Sequence, residues 1–205
     1  MTGSYTWSKS LTDASGNGDN LEESGKRNFN YGPSTFDRRH IFVSTFTYTI
    51  PFFRKLNSVG KVLLDGYEVS GIARLQSGQY LTVTGNTSIG GRRADYIGGD
   101  INQQGSDPSL QWFNTSVFKS APDDRRGNAG VGTVVGPGRY LWDFSLRKRF
   151  AIREKYKVQF QADLFNAFNR LNLNNPDTNF SSLSFGQING SAPGRNAQVG
   201  LRFDF

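Results

Sequence analysis

Apolar and polar residues alternate along this chain with a period of two, the signature of β-strands presenting one face to each environment. The clearest run is Lys155 to Phe168: Tyr156, Val158, Phe160, Ala162, Leu164 and Phe168 share one face. Lys155, Lys157, Gln159, Gln161 and Asp163 share the other. From Gly138 to Phe150, Tyr140, Trp142, Phe144 and Leu146 oppose Asp143, Ser145, Arg147 and Arg149. At the end of the chain Ala197, Val199, Leu201, Phe203 and Phe205 oppose Gln198, Gly200, Arg202 and Asp204. Phe42, Phe46, Tyr48 and Ile50 oppose Thr45, Thr47 and Thr49. Between Leu63 and Ser77, Tyr67, Val69, Ala73 and Leu75 oppose Glu68, Ser70, Arg74 and Gln76. A shorter first run sets Tyr5 and Trp7 against Thr6 and Ser8, so the pattern predicts six strands.

A run of roughly 11 residues, rising about 3.3 Å per residue and tilted near 45°, climbs about 25 Å, the height of an outer-membrane apolar band. The connections alternate as well. Pro51–Lys61 and a turn at Ala151–Glu154 are the shorter ones; Ser10–Asp37, Gly78–Pro137 and Asn169–Gly194 are long and rich in Gly, Asn, Asp and Ser. Long structureless connections are uncommon in compact soluble domains. Short turns on one side and long loops on the other are the rule in outer-membrane barrels. The predicted fold is therefore all-β: an antiparallel transmembrane β-barrel segment, an open curved sheet of about six long strands with long external loops. Six strands do not close in lipid, where an open edge leaves unsatisfied backbone groups, so further strands or further copies are expected. A soluble or secreted β-sandwich binding module, carbohydrate-binding through exposed aromatics, is the alternative; it requires the apolar faces to be buried between two packed sheets.

Composition sharpens this picture. Aromatics make up 14% of the 205 residues, Phe occurs 17 times, and there is no Cys, which removes disulfide and thiolate-metal chemistry. No run of about 18 apolar residues is present, which excludes a transmembrane helix. The net charge of +7 comes from basic residues scattered along the chain, so nucleic acid is not an expected partner. Met1 to Tyr5 has neither the basic nor the apolar stretch of a signal peptide.

Several segments resemble a known family. Gly136–Phe150 (GPGRYLWDFSLRKRF), Gln159–Asn169 (QFQADLFNAFN), and Pro193–Phe205 (PGRNAQVGLRFDF) preceded by Phe185–Ile188 resemble the last strands of Oar-like TonB-dependent transporters. Phe36–Phe42 (FDRRHIF), Gly71-Ile72, Gln76–Gly78 and Trp112–Asn114 fit the same order upstream. The resemblance implies a barrel of about 22 strands around a plug, energised through TonB. It makes residues 1–205 a partial C-terminal portion of that barrel, without plug or N-terminal strands. The implied role is an outer-membrane transport or receptor component in a bacterial outer membrane, and not an enzyme. The implied partners are outer-membrane lipid, the remaining barrel and plug, the barrel-assembly machinery, and TonB only through the missing plug. Phe205 resembles the aromatic C-terminal assembly signal of such barrels.

Candidate chemistry is sparse. Arg74, Arg147, Arg149, Asp163 and Arg202 fall on polar strand faces, where they line a lumen and favour an anionic or hydrogen-bonding solute, or else pair with one another. His40 is the single histidine and is expected to be structural. Asp13–Asp19 resembles the start of a calcium loop, but the twelfth position is Ser24 rather than a bidentate Glu, so the 13–24 segment is expected to be an external loop. Gly90–Arg93 and Gly136–Gly138 lack the strand–loop–helix setting of a phosphate cradle. Asp123-Asp124 lies beside Arg125-Arg126 with no second carboxylate group for acid–base work. No cofactor and no metal site is expected.

Overall fold

The computed structural model describes residues 1–14, 27–51, 65–85, 93–122, 124–152 and 156–205. The alternating runs become six strands: β1 (Thr2–Trp7), β2 (His40–Thr49), β3 (Tyr67–Gln76), β4 (Arg139–Ile152), β5 (Tyr156–Phe165) and β6 (Asn196–Asp204). They form one sheet in chain order, each antiparallel to the next. This up-and-down order puts the β1–β2, β3–β4 and β5–β6 loops at one end of the sheet. The β2–β3 and β4–β5 turns fall at the other end. Among the described residues β1 and β6 each pair on one side only.

The registers align the apolar positions into continuous rows. Tyr48 lies opposite Val69, Val69 opposite Leu146, Leu146 opposite Ala162, and Ala162 opposite Val199. Gly71 sits between Phe46 and Phe144 in the next row. A Cβ there would lie 2.6 Å from the Phe46 ring and 2.7 Å from that of Phe144. The two rings, with centroids 6.2 Å apart, close over the glycine and fill the space a side chain would take. No second long sheet packs against this face among the described residues. Leu201 and Phe203 keep 75% and 54% of their surface exposed, the opposite of a sandwich core.

Aromatic side chains gather at both ends of the apolar face. Tyr5, Trp7, Tyr140 and Trp142 lie near the loop end, and Tyr48, Tyr67 and Phe150 near the turn end. Such belts mark the two interfaces of a membrane-spanning barrel. Lys148 falls on this apolar face, opposite Tyr67 and Phe160, because alternation within Arg147-Lys148-Arg149 sends the middle residue outward. Its ammonium lies 4.2 Å from the Tyr67 ring centroid and 4.7 Å from that of Phe150, and donates to the Asp65 carbonyl at 2.9 Å. The long stem crosses apolar surface while the charge reaches the turn.

Two expectations need correction. The fifth strand stops at Phe165 rather than Phe168. Asn166 takes a left-handed φ of 48°, its N–H donates to Asp143 Oδ1 at 2.9 Å, and its side chain donates to the Arg170 carbonyl. Asn tolerates that conformation, and its local bonds outcompete the ladder. Phe168 still packs edge-on against Trp142 and Phe144, at 5.4 and 5.8 Å, so its side chain stays with the apolar face after the backbone has turned. The fourth strand runs on to Ile152, past the expected turn start at Ala151. Leu63 and Leu64, expected in the third strand, lie outside the described residues.

A further correction concerns the long loops, which are not structureless. Val83, Ala94, Phe113, Val117, Phe118, Ala129 and Val134 form a buried cluster between sheet and solvent, with Phe180 and Phe185 packed on it. Short ladders join Tyr80–Leu81 to Val134–Val135 and Asp95–Tyr96 to Phe118–Lys119. The β5–β6 loop is stitched in through Trp112 N to Gly186 O at 2.9 Å and Ile188 N to Ser109 O at 2.8 Å. The β1–β2 loop joins through Arg93, whose guanidinium stacks 3.7 Å over the Phe29 ring. At the stem, a Cβ on Gly78 would lie 1.7 Å from the Gly136 carbonyl, so the two strands of the loop meet there only through glycine.

Inside this loop unit Asp95 is almost fully buried and receives both Arg125 guanidinium nitrogens, at 2.7 and 2.6 Å, and the Asn128 N–H at 3.1 Å. The hydrogen bond from Arg125 holds its carboxyl below the ordinary range, against the opposing effect of burial. A depressed carboxyl contributes stability that is complete above the unfolded value, about 3.9, and is lost as pH falls through the folded one. Trp112 fluorescence is therefore expected to report a loop unit of constant thermal midpoint from about pH 8 to 5 that weakens below about pH 4. Asp95→Asn should reduce that acid limb; an unchanged acid profile in the variant would assign the effect elsewhere.

Candidate functional site

The polar face carries an ordered set of side chains across β3 to β6. Arg147 Nη1 pairs with Glu68 Oε1 at 2.8 Å, and Arg147 Nε donates to Gln161 Oε1 at 3.3 Å. Gln161 Nε2 in turn donates to both oxygens of Asp163, at 3.0 and 2.9 Å. One relay, Glu68–Arg147–Gln161–Asp163, thus crosses three strands. It forms because the register places Glu68, Arg147 and Gln161 in one row, with Asp163 two residues along the same face. Nearer the turn end, Arg149 Nε donates to Gln159 Oε1 at 3.2 Å, and Arg202 Nε pairs with Asp204 Oδ1 at 2.8 Å. Exposed pairs of this kind contribute about 0–1 kcal/mol each. Their effect is to neutralise and orient the polar face rather than to hold the fold. An open groove of about 340 Å³ runs along Gln159, Gln161, Asp163, Gln198 and Arg202.

Arg74 differs from the other candidates. It is exposed between Val43 and Leu141 in register, and among the described residues it has no hydrogen bond or ion pair. A second groove, of about 450 Å³, passes Thr47, Ser70, Arg74, Asp143 and Ser145. The five polar residues singled out from alternation therefore share one face but divide chemically: Arg147, Arg149, Asp163 and Arg202 have protein partners, and among the described residues Arg74 has none.

The remaining candidates have plain placements. His40 Nδ1 lies 2.8 Å from the Tyr5 hydroxyl at the loop end of β2, and the rings stack at 6.2 Å. Gly136 is buried at the loop stem with its N–H on the Gln79 carbonyl, and Gly138 leads directly into β4. Asp13 and Ala14 are described, but the rest of the calcium-like 13–24 segment, Gly90–Arg92 and Asp123 lie outside the described residues. Among the described residues no cluster of three or more metal-ligating side chains occurs. Phe205 is 89% exposed beyond the end of β6 and stacks on Phe203 at 6.1 Å.

Alternation had no means of finding two further groups. Asn172 is buried and clamps the start of β4, accepting from Tyr140 N at 2.7 Å and donating to Tyr140 O at 3.0 Å. Arg38 and Arg39 precede β2, where a sequence pattern assigns no face.

A sheet with one apolar face bounded by aromatic belts, one hydrogen-bonded polar face, and long loops confined to one end defines an outer-membrane β-barrel wall. The chain belongs to the outer membrane beta barrel domain family, whose model matches residues 1–198. It is a protein of the bacterial outer membrane. No curated protein and no solved structure matches it significantly.

Proposed function

We propose that this chain forms the last strands of an Oar-like TonB-dependent transporter and acts as part of an outer-membrane transport or receptor barrel, without catalysis. The observation that carries the reading is the six-stranded meander, whose edges at β1 and β6 are open among the described residues, with a charge-lined polar face. An open edge is not tolerated in lipid, so a barrel wall of this kind is completed by additional strands. On this reading the polar face lines the lumen, and the plug and the TonB-contacting segment come from sequence outside these residues. The order of the GPG…FSL, DLFNAFN and GLRFDF segments supports placement at the C-terminal side of the barrel. The exposed Phe205 would then be read by the assembly machinery.

The test is in-cell photocrosslinking in the native host, with the reading frame that contains this segment epitope-tagged on the chromosome. A crosslink to TonB, from a protein that fractionates with the outer membrane, is the expected result. A protein that reaches the outer membrane, migrates as a heat-modifiable barrel and never crosslinks to TonB would leave a barrel of another class.

A further inference from the structure

Charge is unevenly distributed along the polar face. Toward the turn end, among the described residues, Arg147 pairs with Glu68 and Arg202 with Asp204, while Arg149 is held by the neutral Gln159. Toward the loop end the balance changes. The rows run Ile41–Gln76–Arg139 and Val43–Arg74–Leu141, so Arg139 and Arg74 are diagonal neighbours on one face. Diagonal neighbours on adjacent antiparallel strands stand about 7–8 Å apart at their Cα atoms. Arg39, two residues before Ile41, continues the same face upward.

None of these guanidinium groups, nor that of Arg38, makes an ion pair among the described residues. Arg38 is held by neutral acceptors: its Nη1 donates to the Thr35 and Asp37 carbonyls at 3.0 and 2.8 Å, and its Nη2 to Gln79 Oε1 at 3.2 Å. Arg39 donates to the Tyr80 hydroxyl at 2.9 Å, with its guanidinium 5.7 Å from that ring's centroid, and its Nε is buried without a partner. Arg74 and Arg139 are exposed. The nearby carboxylates are Asp37, buried without a hydrogen-bond partner, and Asp143, engaged by the Asn166 N–H. Among the described residues four cations thus face two carboxylates, and the cations repel one another. Burial, and after it the charge of Arg139, lowers the Arg38 guanidinium from its ordinary value, while Asp37 acts in the opposite sense.

An arginine cluster left short of counter-charge, fixed by neutral acceptors and open on a polar face, is suited to fork-like recognition of carboxylate or phosphate oxygens. We propose that Arg38, Arg39, Arg74 and Arg139 form an anion-binding mouth at the loop end of the lumen, taking solutes that carry phosphate or several carboxylate groups. This rests on the polar face being the lumen wall of the transporter proposed above. The ion pairs below, Arg147–Glu68 and Arg202–Asp204, would let the solute pass with little further retention, since their fields are already compensated. The cluster lies on the face opposite the lipid-facing aromatics, which favours a dissolved anion over a lipid phosphate.

The experiment uses the whole barrel protein carrying this segment, in nanodiscs, with pyrophosphate and citrate as probes and spermidine as the cationic control. Calorimetry in phosphatidylcholine discs is expected to show binding of both anions and none of spermidine. Arg74→Gln and Arg139→Gln should each weaken anion binding about tenfold, the scale of one charged hydrogen bond, with the double substitution weaker still. Lys119→Gln, the same charge change in the exposed loop unit, should leave it within about twofold. Absence of anion binding, or equal affinity in the Arg74/Arg139 double variant, overturns the proposal while leaving any TonB crosslink intact. Dependence on the two arginines seen only as association with phosphatidylglycerol discs would instead make the cluster a lipid contact, and also overturns it. If anion binding behaves as expected but TonB does not crosslink, the mouth stands and the transporter class falls.

Discussion

Phe113→Ala is expected to open the loop unit while leaving the membrane-spanning sheet in place. Phe113 is 1% exposed and packs edge-on against Phe185 at 5.3 Å and Phe118 at 6.0 Å. Removing the ring takes away the piece that joins the β3–β4 loop to the β5–β6 loop. A buried Phe→Ala change costs about 3–5 kcal/mol. The unit is small and Phe113 is the largest fully buried side chain of its core, so that loss is a large share of the local stability. Hydrogen exchange should show fast exchange in the core segments Leu81–Val83, Ala94–Tyr96 and Phe113–Phe118, with β3, β4 and β5 protected as before. Cold-gel migration of the folded barrel should be unchanged. Loss of protection throughout β4 and β5 would show that loops and sheet fold as one unit.

Leu146→Arg is expected to impair membrane insertion far more than an equivalent charge on the other face. Leu146 lies near the middle of the fourteen-residue β4 on the apolar face, with Val69 and Ala162 as its cross-strand neighbours. At mid-membrane an outward arginine costs about 2–4 kcal/mol. Thr47→Lys places its charge on the polar face beside Ser70, where water is available, and should cost little. Folding into lipid vesicles, followed by urea titration, compares the two. Equal destabilisation would mean that the apolar face does not meet lipid. The lysine already present on that face does not contradict this. Lys148 lies only four residues from the turn end of β4 and reaches Asp65, whereas Leu146 is too far inside for an arginine to do so at no cost.

The anion mouth and the loop unit illustrate how legibility varies along the chain. Arg74, Arg147, Arg149, Asp163 and Arg202 were assigned to one face by parity alone, and the structure keeps all five there. Parity could not say which of them would be neutralised, because that depends on the register between strands up to 79 residues apart in sequence, as in Arg147 to Glu68. Nor could it place Arg38, which lies before β2 where alternation ends and turn geometry begins. Phe168 shows the same limit in reverse. Its parity was right and its side chain is with the apolar face, but Asn166 had already ended the strand.

What the sequence by itself determined is the six alternating strands, their order as a meander, the two faces, and the end at which the long loops emerge. These follow from a period-two constraint that every residue of a strand must satisfy, so the signal is repeated and local. Only the tertiary structure decided that the long loops carry a core of their own, that Lys148 bends to the turn, and that the arginines divide into paired and unpaired groups. Those outcomes depend on contacts between segments with no shared periodicity. A Phe113 resting on Phe185, or an Arg38 beside Arg139, is set by how the loops close over the sheet and leaves no repeating mark in the chain.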